Sequence, residues 1–207
     1  KQQKILITPN EQPLEGKWTF DTENRLKYPK DKKAPVVPKI TKNQFYQEAT
    51  QYVSQYFPEN YGRDSMVYPT TFQEAEQWLE QFLESRFYDF GIYEDAIVAS
   101  EVLLHHSMLT PLLNVGLLLP MQVIQKAISY AEQHAIPYNS LEGFVRQILG
   151  WREFIRAIYI REGSMQRTKN FWGFTRKLPQ SFYDGTTDIK PIDKTIQKLL
   201  DTGYNHH

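Results

Sequence analysis

Two stretches of this 207-residue chain carry side chains whose types and spacing could do chemistry. In His105 to Pro120, HHSMLTPLLNVGLLLP, Ser107 and Thr110 bracket the expected start of a helix. Two hydroxyls and the free amides of a first helical turn could together hold a phosphate. Ordinary N-capping by Ser or Thr is the commoner use of such a pattern, and taken alone it is favoured. In Gly143 to Tyr159, GFVRQILGWREFIRAIY, an apolar helix is interrupted by Arg146, Trp151, Arg152, Glu153 and Arg156. Gly150 costs about 1 kcal/mol in a helix relative to Ala, which a sequence tolerates where something must approach closely. One reading makes Arg152 and Glu153 a buried ion pair. The other makes Gln147 and Trp151 the lining of a pocket.

Other polar clusters promise less. His105 and His106 are adjacent, so on a helix they point in different directions and cannot form one face of a metal site. Glu94 and Asp95 could serve acid–base chemistry, but an acidic pair starting a helix is usually a partner of the helix dipole. His206 and His207 read either as native residues or as the remainder of a purification tag. HExxH, the Walker P-loop, dinucleotide GxGxxG and GxSxG are all missing. With no Cys, the chain offers no disulfide, Cys-held zinc, iron–sulfur ligand or thiol nucleophile, and no metal site is expected.

Charge is balanced in total, 24 basic against 24 acidic residues, and segregated along the chain. Residues 43–104 hold eleven acids and two bases; residues 146–177 hold eight bases and two acids. Phe144 stands at the edge of the basic stretch, which carries Trp151, Phe154, Tyr159, Phe171, Trp172 and Phe174. Bases interleaved with aromatics suit a polyanion whose flat rings can stack. A helix with a wet basic face and a buried aromatic face is the commoner arrangement. A length of 207 residues with 41% hydrophobic content suits one domain, or slightly more, with a real core. No apolar run reaches the roughly 18 residues of a membrane helix. Lys1 to Lys4 leads only into Ile5-Leu6-Ile7, unlike a secretory signal, so a cytoplasmic location is expected.

The elements that must position these residues are helical. Residues 1–40, with five prolines and the Lys30–Lys33 run, read as an extended connecting arm. Thr41 with Gln44 predicts a helix to about Phe57; Thr71 with Glu74 opens another, with Trp78, Leu79, Phe82 and Leu83 on one face. Short helices are expected over 94–106 and 109–119. Pro120 should start a helix running to about His134. Asn139 and Glu142 predict a cap for the stripe Leu141, Phe144, Val145, Ile148, Leu149, Ile155 and Ile158, ending near Tyr159. A loop with Gly163, Ser164 and Gly173 should follow, then a last helix from Pro191 to about Leu200. Only Lys4 to Thr8 hints at a strand. The fold class is all-α, an irregular helical bundle.

Read together, the motifs resemble those of photolyases and cryptochromes. Ser107 to Pro120 is similar to the TSxLSxYLxxGxLSP stretch that holds flavin phosphates in that family. Gln147 to Phe154, QILGWREF, resembles its (E/Q)LxWREF helix, which faces the flavin and the damaged base. Gly185 to His206 is similar to its GxTGxPxxDAxMRxLxxxGWxH stretch beneath the flavin. The nearest branch is the bacterial photolyase-related proteins, including (6-4) photolyases with an iron–sulfur cluster. Its hallmarks stand here as GKWTFDTENR (Gly16 to Arg25), FGIYEDA (Phe90 to Ala96) and the two stretches above.

The resemblance implies residues 1–40 as an interdomain connector and 41–207 as part of a helical FAD-binding domain. It also implies that the chain is the middle of a longer protein, a DNA photolyase acting on UV-induced pyrimidine photoproducts by light-driven electron transfer from reduced flavin. Ser107, Leu109 and Thr110, with Asn114, would hold flavin phosphates. Arg152 would pair with a carboxylate or the flavin, Trp151 would pack on damaged bases, and Gln147 would hydrogen-bond to them. His206 would be the lesion-side proton donor, with His207 second. The branch's first cluster Cys falls at about Pro191, which counts against an iron–sulfur cluster. Partners would be UV-damaged DNA, no membrane, and a second copy through exposed apolar surface. A cryptochrome-like light sensor and a flavin-free helical binding module remain as alternatives. The isolated stretch is expected to be inactive.

Overall fold

A computed structural model describes residues 4–36, 38–62, 67–101 and 103–203. Among them run eight helices: α1 (Gln44–Tyr56), α2 (Phe72–Ser85), α3 (Phe90–Tyr93), α4 (Thr110–Asn114), α5 (Pro120–His134), α6 (Tyr138–Thr168), α7 (Ser181–Asp184) and α8 (Lys190–Thr202). No strand forms among the described residues, and the fold is all-α. The chain divides into two units, one of residues 1–40 with 68–161, the other of residues 41–67 with 162–207.

In the first unit, α2 is capped as its sequence predicts. The Thr71 hydroxyl oxygen accepts the Glu74 amide at 3.2 Å, and the Glu74 carboxylate accepts the Thr70 amide at 3.4 Å. This helix buries Ala75, Trp78, Leu79, Phe82 and Leu83. Helix α5 starts on Pro120, as expected, and ends where Ala135 turns left-handed (φ 49°). Its Val123, Ile124, Ala127 and Ala131 join the same core. Phe144 of α6 is the hub of an aromatic cluster, its ring centroid 4.9 Å from Phe82 and 5.4 Å from both Phe87 and Phe90. The contacts to Phe87 and Phe90 are edge-on, and such pairs add roughly 0.5–1.5 kcal/mol each to the burial itself.

Residues 4–36 contain no regular element beyond the 3-10 turn Asp21–Glu23, yet they are tied down along their length. The Leu26 amide donates to the Ile92 carbonyl at 3.0 Å, the Phe20 amide to Glu142 at 3.2 Å, and Lys32 pairs with Asp89 at 2.6 Å. Tyr28 packs edge-on against Tyr93 at 5.0 Å in a small second core with Leu104. The hinted strand reduces to one bridge, Ile7 with Pro13. Lys4 and Leu6 adopt left-handed backbone (φ 53° and 50°), which breaks extended pairing.

Three expected helices change. Among the described residues of 94–106 no helix forms: the consecutive residues Leu103, Leu104 and His105 are all buried, which one helix face cannot achieve. The helix expected over 109–119 stops at Asn114, because the Leu118 amide folds back onto the Leu112 carbonyl at 3.2 Å. Helix α6 passes the expected end at Tyr159 and continues to Thr168. Arg, Glu, Met and Gln dominate that extension, and their propensity outweighs a single Gly163. Two caps also differ. Asn43, not Thr41, caps α1, its oxygen accepting the Tyr46 amide at 3.1 Å. Asn139 lies inside α6 and points its amide at Asn24 instead.

In the second unit, the Thr187 amide and hydroxyl both donate to Asp193, at 2.7 and 2.6 Å, fixing the entry to α8. The Gln197 amide donates to the Gly185 carbonyl at 3.2 Å, which joins α7 to α8.

Candidate functional site

The first half of α6 is organised by polar contacts. Asn24 and Asn139 bond reciprocally: Asn139 Nδ2 donates to Asn24 Oδ1 at 3.0 Å, and Asn24 Nδ2 to the Asn139 carbonyl at 3.4 Å. The Ser140 hydroxyl donates to the Tyr88 carbonyl at 2.8 Å and accepts the Gly91 amide at 2.9 Å, clamping α3 to α6. Arg146 donates to Glu142 at 2.9 Å and lies 3.5 Å from Asp21.

Glu94 sits beside this network, only 7% exposed. Burial, then the Asp95 and Asp21 carboxylates, push its carboxyl up to about 7, against opposition from Arg146 and Gln147. Its Oε2 has no hydrogen-bond partner among the described residues. A side chain at Gly143 would meet Glu94 Oε2 at 3.9 Å and Asn24 Nδ2 at 3.0 Å. Glu94 therefore follows the end of α3 and does not begin a helix, so the dipole-partner reading falls. A buried acid poised near neutrality can hold or release a proton.

The hydroxyl segment has its own geometry. Leu109, fully buried, occupies the cap position of α4, and no side chain caps that helix. The N-capping reading of Ser107 and Thr110 is thus not realised. Thr110 is exposed at the first helical residue, Ser107 is half-buried, and neither hydroxyl is hydrogen-bonded among the described residues. Met108 between them is left-handed (φ 57°), a strained conformation for an unbranched non-Gly residue and of the kind that clusters at ligand sites. Asn114 is exposed at the last residue of α4. Hydroxyls without partners among the described residues, beside an uncapped first turn, could donate to a phosphate.

Further along α6 the aromatic face is not buried. Trp151 is 61% exposed, and Phe154, Ile155, Tyr159 and Ile160 are also exposed. Trp151 meets Phe154 edge-on, with centroids 6.0 Å apart. Glu153 faces Arg156 at 3.8 Å with both half exposed, so the Arg152–Glu153 buried pair is ruled out. Arg152 Nη1 donates to the Ile148 carbonyl at 2.7 Å, and partial burial lowers its pKa. Gln147, half-buried near Glu94, lies one turn before Trp151 on the same face. His206 and His207 lie outside the described residues.

His105 is a buried structural residue. Its Nδ1 lies 3.2 Å from the Arg86 carbonyl and its Nε2 3.5 Å from the Tyr28 hydroxyl, and burial lowers its pKa. No group of metal-binding side chains occurs among the described residues. Sequence reasoning missed Arg86, fully buried with Nε, Nη1 and Nη2 unbonded among the described residues. Its guanidinium lies over the Phe82 ring at 5.6 Å, and desolvation lowers its pKa to about 10. A base set in the aromatic run SRFYDF was the available signal. Asn24 was missed as well, although it stands inside the quoted motif GKWTFDTENR.

This helical fold and its motifs agree with the comparisons. A family model described as deoxyribodipyrimidine photo-lyase-related protein matches residues 1–68. Together with the relative that follows, this match supports a photolyase-related protein. It is 33% identical over 203 residues to a (6-4) photolyase of Agrobacterium fabrum, covering 98% of this chain and 40% of that relative. It is 36% identical over 117 residues to an uncharacterised protein of Acanthamoeba polyphaga mimivirus, covering 55% of this chain and 88% of that one. The chain thus spans less than half the length of the (6-4) photolyase it matches.

Proposed function

We propose that this chain supplies part of the flavin- and lesion-binding region of a FAD-dependent, light-driven DNA photolyase acting on UV-induced pyrimidine photoproducts. The observation that carries the reading is the end-to-end similarity to a (6-4) photolyase, across 98% of the chain. Bound FAD would supply light absorption and electron transfer. The Ser107 and Thr110 hydroxyls would donate to its phosphates, Leu109 would anchor the segment in the core, and Asn114 would add a side-chain amide. Arg152, without an acidic partner among the described residues, would balance negative charge on the cofactor. Trp151 would stack on the damaged bases, while Gln147 would hydrogen-bond to their edges. His206 and His207 would serve the proton transfer. The proposal includes cytoplasmic action.

The test is an absorption spectrum of protein purified from the complete reading frame, beside the 207-residue chain with FAD added. Flavin bands are expected, and Ser107→Ala with Thr110→Val should lower flavin occupancy severalfold. Light-dependent repair of UV-irradiated oligonucleotide should fall with Trp151→Ala. Absence of flavin in both preparations overturns the reading. A light-independent nucleic-acid-binding role is the second reading, favoured by the exposure of Trp151, Phe154 and Tyr159.

A further inference from the structure

A second group of aromatics, in residues 169–177, has a different setting. After α6 the chain makes a tight turn, the Gly173 amide donating to the Asn170 carbonyl at 3.1 Å. Gly173 is left-handed (φ 64°), and Asn170 Nδ2 holds the Phe174 carbonyl at 2.7 Å. This turn lifts three rings into solvent: Phe171, Trp172 and Phe174 are 76%, 73% and 73% exposed. Trp172 and Phe174 lie nearly parallel, 12° between planes and 6.2 Å between centroids; Phe171 stands edge-on to Trp172 at 5.1 Å. Between Phe171, Trp172 and the end of α6 lies a pocket of about 520 Å³, bordered by Glu162, Met165, Gln166 and Lys169.

Exposed rings alone would suit any apolar partner. Their charged neighbours narrow the choice. Lys169, Arg176 and Lys177 are exposed and form no ion pair among the described residues, and residues 169–177 contain no acid. A protein helix would offer apolar side chains but no dense negative charge. Unpaired DNA offers both a flat ring and a phosphate at every residue, and rings beside free bases are how proteins hold single strands.

We propose that Phe171, Trp172 and Phe174, with Lys169, Arg176 and Lys177, form a stacking platform for the unpaired bases of single-stranded DNA, a contact additional to Gln147 and Trp151. It needs neither flavin nor light, so its failure and that of the photolyase reading are separable.

The test is fluorescence anisotropy of the 207-residue chain with a labelled twelve-residue oligothymidylate, in the dark and without flavin. Trp172→Ala and Phe174→Ala should each weaken binding between about fivefold and a hundredfold, leaving the salt dependence unchanged. Trp172→Phe should retain most of the affinity. Replacing Arg176 and Lys177 together by Ala should flatten the plot of log affinity against log salt by about 1.4, at roughly 0.7 per phosphate contact. An abasic oligonucleotide of equal length should bind at least about tenfold more weakly than the oligothymidylate. Equal affinity for abasic and base-carrying strands, or unchanged binding by both ring variants with native circular dichroism, overturns the proposal.

Discussion

Replacing Glu94 by Gln tests the polar side of α6 most directly. The carboxyl is buried, its Oε2 is unbonded among the described residues, and its pKa is raised from 4.5 to about 7. A raised carboxyl pKa means that the folded state holds the proton more tightly than the unfolded chain. Stability from this source is complete below about pH 4.5 and is lost as pH climbs through about 7. The raised pKa corresponds to roughly 3 kcal/mol at about 1.36 kcal/mol per pH unit. Gln at this position stays neutral at every pH and keeps nearly the same shape. Urea unfolding of both proteins, followed by tryptophan fluorescence from pH 5 to 8, isolates the effect because other titrations cancel in the difference. Wild-type stability should fall relative to Glu94→Gln by roughly 2 to 3 kcal/mol across that range. A difference that stays flat with pH would refute the reasoning, showing that Glu94 is solvated or paired in the fold. Arg146, whose charge opposes the shift, supplies a control: Arg146→Gln should steepen the dependence.

Three further outcomes follow from packing and exposure. Gly91→Ala would place a Cβ 2.8 Å from both Asn139 Nδ2 and the Ser140 backbone nitrogen, and should lower the thermal midpoint by several degrees, at a cost of about 1–3 kcal/mol. Arg86→Met should leave stability unchanged or raise it, by up to about 4 kcal/mol, because it removes a buried charge that has no partner among the described residues; a lower urea midpoint would count against that account of the guanidinium. The exposed face of Trp151, Phe154, Ile155 and Tyr159 should drive concentration-dependent association in sedimentation velocity, relieved by Trp151→Glu with Phe154→Glu. A clean monomer at high concentration would dispose of that expectation.

Legibility followed local physics. Where one helix face and one cap coincide, as at Thr71 with Trp78, Leu79 and Phe82, or at Pro120 with Val123 and Ile124, the sequence predicts the element closely. It fails at 94–106, because His105 is held by Tyr28 and the Arg86 carbonyl, partners 77 and 19 residues away that no local pattern encodes. It fails at Asn139 for the same reason, a capping residue being recruited by a distant Asn24. Of the candidate site, the hydroxyl segment and the Gln147–Trp151 face were visible as residue types. The raised pKa of Glu94 was not, since it depends on burial by segments far apart in the chain. The exposure of Trp151 also ran against expectation: an aromatic stripe at helical spacing ordinarily signals a core.

The Asn24–Asn139 pairing spans 115 residues, and the Phe20 contact with Glu142 spans 122. Closing a loop of that length costs on the order of 4 kcal/mol in chain entropy before any contact is made. That cost must be met by the arm's own contacts, so the arm is expected to open more easily than the core of α2, α5 and α6. Its amides should share one opening reaction in hydrogen exchange, less protected than those of α2. The arm thus forms part of the wall around Glu94: Asn24 and the Glu94 carboxylate both face the Cβ position of Gly143, and Asp21 contributes to the field at that carboxyl.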